Sequence, residues 1–189
     1  MSIKVFIDQG HNPRDFNTGA EGNGLFEQDI TYRIGRLLYD LFRSDSEFEP
    51  RLSRPTADTL LGTSNASSLV ARVNLANSWP ADIFLSLHTN AAANENASGC
   101  ETLIYSRSSS VALGLATDIA EQLSLVTGLR NRGVIERPGL YVLKRTTMPA
   151  VLVEMGFITN PYDAELMQNS PGLFARGIYR GVRRYYGFI

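Results

Sequence analysis

The sequence has little that could crosslink the chain and no feature that would direct it to a membrane or to nucleic acid. Its single cysteine, Cys100, cannot form an intramolecular disulfide, so the fold must depend on its hydrophobic core. No apolar run approaches the length of a membrane span. The formal net charge of −1 provides no basic surface for a polyanion, and we therefore expect no nucleic-acid partner.

The length and the order of apolar segments indicate one domain. A chain of 189 residues, 43% of them hydrophobic, is enough for one sizeable core and too short for two comfortable domains, so we assign residues 1–189 to one domain. Short apolar runs predict strands at Ile3–Asp8, Glu49–Arg54, Asp82–Leu87, Glu101–Tyr105, Gly139–Leu143 and Ala150–Glu154. Helical spacing predicts helices at Glu27–Phe42, Ser64–Asn77, Val111–Thr127 and Leu173–Tyr186. This alternation predicts an α/β fold, a twisted and mostly parallel sheet with helices on both faces.

Two polar tracts follow predicted strands, and the two histidines of the chain lie at their starts. Asn12–Gly24 and His88–Gly99 are rich in glycine, asparagine or other residues that favour loops. His11 lies just before the first tract, and His88 is the first residue of the second. Because open α/β sheets assemble their sites at the carboxyl ends of the strands, we expect the two imidazoles to meet there.

Three residues near these loops have the chemistry of a zinc site. A hydrolytic zinc needs three protein ligands and an open fourth position, and His11, Glu27 and His88 supply two imidazoles and a carboxylate. Taken singly, each has a structural explanation. A lone histidine near a strand end is often hydrogen-bonded, and the helix dipole favours a glutamate in a first helical turn. Only the combination indicates a metal.

Glu154 is harder to explain by structure alone. It follows the apolar run Ala150–Val153, where a carboxylate must be paired, exposed in a cleft, or desolvated at a cost in free energy. A carboxylate in such surroundings has a perturbed pKa, which is typical of functional sites. The sequence therefore favours a chemical role for this residue.

Five motifs, taken together, resemble one enzyme family. They are IDQGHNP at Ile7–Pro13, GLFEQD at Gly24–Asp29, SLHTNA at Ser86–Ala91, NRGV at Asn131–Val134 and PAVLVEMGFITNPYD at Pro149–Asp163. In order and spacing they resemble the zinc-dependent N-acetylmuramoyl-L-alanine amidases of the type 3 family, over nearly the whole chain. The first motif departs from the family at Gln9, where proline is frequent, and at Asn12-Pro13, where Gly-Gly is frequent.

The resemblance implies a reaction and a role for each residue. His11, Glu27 and His88 would bind one zinc ion, and Glu154 would be the general base and acid. A water held by zinc would attack the amide between N-acetylmuramic acid and L-alanine in peptidoglycan, and no organic cofactor would be needed.

Two further residues are expected to contact the substrate, and two arginines are not. Asn90 and Arg132 would hydrogen-bond the muropeptide as a neutral and a charged donor. Arg54 and Arg72 also lie on family-like segments, but we expect them to brace the backbone or carboxylates outside the site.

Two other functions remain open from the sequence. One is a non-catalytic peptidoglycan-binding module that retains the cleft, although none of the four chemical residues is missing. The other is a zinc carboxypeptidase acting on the stem peptide, because Arg132 could bind a free carboxylate.

The resemblance also implies where such an enzyme acts. Peptidoglycan would be its partner, in the cell envelope or outside the cell, as for an autolysin or an endolysin, and we expect a monomer. The amino terminus has no signal-peptide pattern, so we expect either that the export signal is missing from this sequence or that export follows another route.

Overall fold

The computed structural model describes Ser2–Ile189 as one α/β domain with a six-stranded sheet and a short hairpin. The strands are β1 (Ile3–Gln9), β2 (Glu21–Gly22), β3 (Leu25–Phe26), β4 (Phe48–Leu52), β5 (Ile83–Asn90), β6 (Cys100–Ile104), β7 (Asn131–Glu136) and β8 (Ala150–Phe157). The helices are α1 (Glu27–Arg43), α2 (Asn65–Ser78), α3 (Ser110–Thr127), α4 (Tyr141–Arg145), α5 (Pro161–Asn169) and α6 (Pro171–Tyr185). Within Ser2–Ile189, no helix is both long enough and apolar enough to cross a bilayer.

The sheet has the order β4-β1-β5-β8-β6-β7 and is mostly parallel, as predicted. The strands β4, β1, β5 and β8 are parallel, whereas β6 is antiparallel to β8 and parallel to β7. The first residues of β6 and β7 therefore lie at the same edge as the carboxyl ends of β1, β5 and β8. In this register Glu101 is opposite Glu154.

One face of the sheet is covered by α1, α3 and α6, and this side holds the larger core. Along β8, Val151, Val153 and Met155 point into it, as the two-residue period of a strand requires. Helix α1 contributes an apolar stripe of Ile30, Ile34, Leu38 and Phe42 at helical spacing. The strands are mostly apolar on this face. Gln9 and Thr102 are polar exceptions, and their side chains are hydrogen-bonded to backbone groups.

The other face changes from apolar to polar along each central strand. Its apolar half consists of Phe6, Phe84, Leu103 and Leu152, packed under α2 and α4. Two residues further along the same face, Asp8 follows Phe6, Ser86 follows Phe84, and Glu154 follows Leu152. In β1, β5 and β8, the polar groups Asp8, Ser86 and Glu154 therefore lie on this face near the carboxyl ends of the strands.

Some element assignments made from the sequence need correction. The strand predicted at Gly139–Leu143 is wrong, because these residues lead into helix α4, and a short apolar run cannot be assigned by periodicity alone. Neither β7 nor α5 was predicted. Strand β5 continues to Asn90, so His88 lies within a strand rather than after it. Strand β8 continues to Phe157, so Glu154 lies inside its strand rather than at the end.

The contact between α6 and α3 gives a direct test of the packing. Gly181 in α6 lies so close to α3 that an added Cβ atom would be 2.4 Å from the Cα atom of Ile119. We expect Gly181→Ala to lower the free energy of unfolding by about 1–3 kcal/mol, because two backbones must separate. In the same helix, an added Cβ at Gly172 meets no atom within 4 Å, so Gly172→Ala is the matched control. Urea denaturation measures both, and equal stability of the two variants would contradict this packing.

Candidate active site

His11 is held in an unusual backbone conformation by two buried arginines. It follows β1 and Gly10, and its φ of 68° lies in the left-handed region, which residues with a Cβ rarely adopt. Its carbonyl oxygen accepts hydrogen bonds from Arg72 at 2.6 Å and from Arg54 at 3.4 Å. Gly10 allows the turn to pass against β5, because an added Cβ would be 2.6 Å from His88. This strained turn aims the imidazole at the sheet face.

Arg72 is the centre of a buried polar network at the end of β1. It donates to the Oδ1 atom of Asp8 at 2.6 Å, to the carbonyl of Gln9 at 2.6 Å, and to the Oδ1 atom of Asn12 at 3.3 Å. Burial alone would raise the pKa of Asp8, but the Arg72 guanidinium holds it below its usual value. The sequence indicated that Arg54 and Arg72 brace the backbone. The structure shows that the braced segment carries His11.

Glu27 is the first residue of α1, and its carboxylate joins three segments of the chain. It accepts hydrogen bonds from the backbone N–H groups of Ala20 at 2.8 Å and Thr89 at 2.9 Å. The short β2–β3 hairpin leads the chain into α1, where the helix dipole also favours a negative charge. The side chain is almost fully buried.

Both imidazoles contact the Glu27 carboxylate. The Nε2 atom of His11 is 3.1 Å from Oε2, and the Nδ1 atom of His88 is 3.0 Å from Oε1. The possible ligand atoms of the three residues all lie within 4.8 Å of one another. Burial would raise the pKa of Glu27, but hydrogen bonds from His11 and His88 outweigh it and lower the pKa far below its usual value. Glu27 is therefore an ionised carboxylate between two imidazoles.

The chemistry of this donor set fits zinc. Two imidazoles and one carboxylate are a known ligand set of catalytic zinc, and the set leaves a position for water. The Nδ1 atom of His11 is 3.2 Å from the carbonyl oxygen of Asn17, to which it can donate. With its proton on Nδ1, neutral His11 would present the lone pair of Nε2 to a metal ion, in place of the contact that Nε2 makes with Glu27 in this structure. The structure thus brings together the three residues that the sequence suggested as ligands.

Glu154 lies beside this group on the same sheet face. In the register of β5 and β8 it is the direct neighbour of His88. Its Oε2 atom is shielded from solvent and has no hydrogen-bond partner within the described chain. Burial, together with the negative charges of Glu27 and Glu101, raises the pKa of Glu154 to about 8. A carboxyl with this pKa can both accept and donate a proton near neutral pH.

Asn90 and Arg132 are brought together by a residue that the sequence reasoning missed. The Glu101 carboxylate accepts from Nδ2 of Asn90 at 3.0 Å and from Nε of Arg132 at 2.9 Å. The Arg132 guanidinium also lies over the ring of Phe157, 5.1 Å from its centroid. The sequence signal for Glu101 is a single carboxylate in the otherwise uncharged strand CETLI. Its position next to Glu154 depends on the pairing of β6 with β8.

The cavities around the sheet differ in their relation to these residues. A cavity of about 760 Å³ lies at the opposite edge of the sheet, against residues such as Lys4, Pro80 and Tyr186. None of the candidate site residues lines it. A smaller pocket of about 130 Å³ is lined by His11 and His88 themselves. Because chemistry needs reactive side chains rather than volume, we locate the active site at the group of His11, Glu27 and His88, beside the smaller pocket.

The chain as a whole is similar to known proteins of one family. A family model described as N-acetylmuramoyl-L-alanine amidase matches residues 5–184. The chain is 34% identical to the amidase CwlM of Bacillus licheniformis, covering 97% of this chain and 69% of CwlM. It is 37% identical to LytC of Bacillus subtilis, of which it spans 35%. A crystal structure of an N-acetylmuramoyl-L-alanine amidase from Clostridium difficile matches with a TM-score of 0.88 and 29% identity, covering 98% of this chain and 97% of that one.

The metal-ligand assignment predicts the effect of removing each side chain. We expect His11→Ala, His88→Ala and Glu27→Gln each to lose stoichiometric zinc, because two ligands hold the ion much more weakly than three. Glu95→Ala removes an exposed glutamate outside the group and serves as the control. Metal analysis after dialysis measures the content, and full zinc occupancy in His11→Ala or His88→Ala would disprove the assignment.

The raised pKa of Glu154 predicts a pH-dependent cost to stability in the metal-free protein. From pH 4.5 to about 8 the unfolded chain loses this proton while the folded chain keeps it, so the cost grows over this range and is complete above it. Glu154→Gln should therefore match the wild type near pH 4 and be more stable at pH 9. Thermal unfolding in the presence of a chelator tests this. The prediction is contradicted if the stability difference between Glu154→Gln and the wild type is the same at pH 4 and at pH 9.

Proposed function

Since this chain belongs to the N-acetylmuramoyl-L-alanine amidase family and is thus a peptidoglycan-cleaving hydrolase, we propose that His11, Glu27 and His88 hold one zinc ion and that Glu154 moves the protons. The observation that carries the proposal is the position of Glu154. Its Oε2 atom has no hydrogen-bond partner among residues 2–189, and it lies beside a group of two imidazoles and a carboxylate.

The zinc site and Glu154 have different roles in the proposed hydrolysis. When bound, the zinc would supply a Lewis acid that makes water nucleophilic at neutral pH and stabilises negative charge on the amide oxygen. Glu154 accepts the proton of the attacking water and delivers it to the nitrogen of the departing L-alanine. A cation next to Glu154 would lower its raised pKa again, so that the carboxylate form is available to act as the base.

We assign substrate contacts to Asn90 and Arg132. Glu101 uses both of its oxygens to hold these two side chains along the cleft next to Glu154. Arg132 retains N–H groups beyond its contact with Glu101, and a guanidinium suits the carboxylates of a stem peptide. Preorganised donors of this kind orient a substrate without loss of side-chain entropy on binding.

The same proposal extends to the setting of the reaction. All residues of the site come from one chain, so one copy is sufficient for catalysis and we propose a monomer. We place the activity where peptidoglycan is found, in the cell envelope or outside the cell. Residues 1–189 act as the catalytic unit.

The reaction is tested with defined substrates. Purified muropeptides are incubated with the zinc-loaded protein and the products are analysed by mass spectrometry. We expect free stem peptides and a glycan that is otherwise intact. Loss of a carboxyl-terminal amino acid, with the lactyl amide unbroken, would indicate a carboxypeptidase. Muropeptide binding without any product would indicate a non-catalytic module.

The role of Glu154 is tested in the same assay. Glu154→Gln should keep the fold and the zinc and lose about 10²–10⁴ in turnover, because the amide cannot accept a proton. Glu165→Gln removes the charge of an exposed glutamate in α5 and should leave turnover unchanged. Turnover of Glu154→Gln within threefold of the wild type would exclude the proposed role.

A further inference from the structure

A small apolar pocket opens next to the two histidines, between α2, α4 and the sheet. Its volume is about 130 Å³. In addition to His11 and His88, apolar and aromatic side chains line it, namely Leu69, Leu140, Tyr141, Val142 and Leu152. Leu69 comes from α2, Leu152 from β8, and Leu140 to Val142 from the start of α4. The proposed catalytic mechanism assigns no task to this pocket.

The charged groups at the base of the pocket are already paired. A guanidinium has five N–H donors, and those of Arg72 find acceptors on Asp8, Gln9, His11, Asn12 and Ser68. The second oxygen of Asp8 accepts from the hydroxyl of Ser86 at 2.8 Å. An apolar occupant would therefore leave neither of these charges unpaired, whereas a polar one would gain no partner from them.

The scissile amide of the family's substrate has apolar groups of suitable size. Its carbonyl carbon is attached to the lactyl carbon, and its nitrogen to the α-carbon of L-alanine, and each of these carbons bears a methyl group. Both methyl groups remain within a few bonds of the carbonyl carbon that must lie between Glu154 and the His–Glu–His group. A water occupies about 30 Å³ in the liquid, so the pocket has room for a few atoms only.

We propose that this pocket is a specificity site that accepts a methyl branch next to the scissile amide, and that Leu69 and Val142 limit its size. The inference rests on the proposed function and adds the side-chain selectivity of the same site. The two possible sources of the methyl group, lactyl and alanyl, share their chemistry and are separated by experiment.

The test fills the pocket and measures kcat/KM. Leu69→Phe adds bulk inside it, and Val70→Phe adds the same bulk to the adjacent, exposed position of α2. With the natural muropeptide, Leu69→Phe should lower kcat/KM by about 10–200-fold, as expected when a methyl-sized group is excluded from an apolar pocket. Val70→Phe should match the wild type. Zinc content and thermal unfolding establish that both variants are folded and loaded.

Two modified substrates identify the methyl group. One has glycine in place of L-alanine, and the other has a glycolyl group in place of the lactyl group. The loss caused by Leu69→Phe should shrink to within threefold on the substrate that lacks the methyl group held in the pocket, and should persist on the other.

A second variant enlarges the pocket, and it decides the question if Leu69→Phe does not fold. Leu69→Ala should raise kcat/KM for a substrate with α-aminobutyrate in place of L-alanine, or with an ethyl-bearing acyl group in place of lactyl, relative to the natural substrate. The ratio of kcat/KM for the enlarged substrate to kcat/KM for the natural substrate should rise by about tenfold, which is the effect of one methylene in such a pocket.

The outcomes separate this inference from the proposed function. It is overturned if folded Leu69→Phe keeps wild-type kcat/KM, if it slows all three substrates equally, or if Leu69→Ala leaves the selectivity unchanged. If the wild-type protein releases no stem peptide from any muropeptide, the proposed function fails. That result is recognised before any variant is compared.

Discussion

The carboxylate of Glu27 is the interaction on which the site depends. It lies at the amino end of α1, accepts backbone hydrogen bonds from Ala20 and Thr89, and contacts both imidazoles. Through these contacts one side chain fixes the hairpin before α1, the end of β5 and the turn after β1. An ionised carboxylate with this burial needs compensating positive charge or donors. Two histidines that share a cation with Glu27 would provide that compensation. The groups that balance the buried charge are therefore the same groups that form the proposed metal site.

The positions of the other site residues follow from the packing of α2 and α4 on the sheet and from the directions of its strands. Helices α2 and α4 pack on Phe6, Phe84 and Leu152, and the polar residues of the same face begin where these apolar residues end. The reversed direction of β6 and β7 brings Glu101 and Arg132 to the same edge from the starts of their strands. The edge therefore receives the carboxyl ends of four strands and the amino ends of two. Glu101 in turn contributes to the raised pKa of Glu154.

Much of this arrangement could be predicted from the sequence, and the exceptions have physical reasons. His11, Glu27, His88 and Glu154 stand out because each is a charged or titratable residue at the border of an apolar run. Glu101 could not be connected to them, since its position opposite Glu154 depends on the antiparallel pairing of β6, which no local pattern encodes. Helix α4 was predicted as a strand because five residues cannot show a helical period. The arginines Arg54 and Arg72 were correctly read as braces, but the left-handed turn that they hold at His11 is a tertiary feature.

The central claim is that two imidazoles and the Glu27 carboxylate form one metal site next to Glu154. Anomalous diffraction at the zinc edge from crystals of the zinc-loaded protein tests it most directly. The account predicts one strong peak within bonding distance of His11, Glu27 and His88, on the sheet face that carries Glu154. A peak on other residues with this group left empty, or no peak from protein that contains stoichiometric zinc, would contradict it.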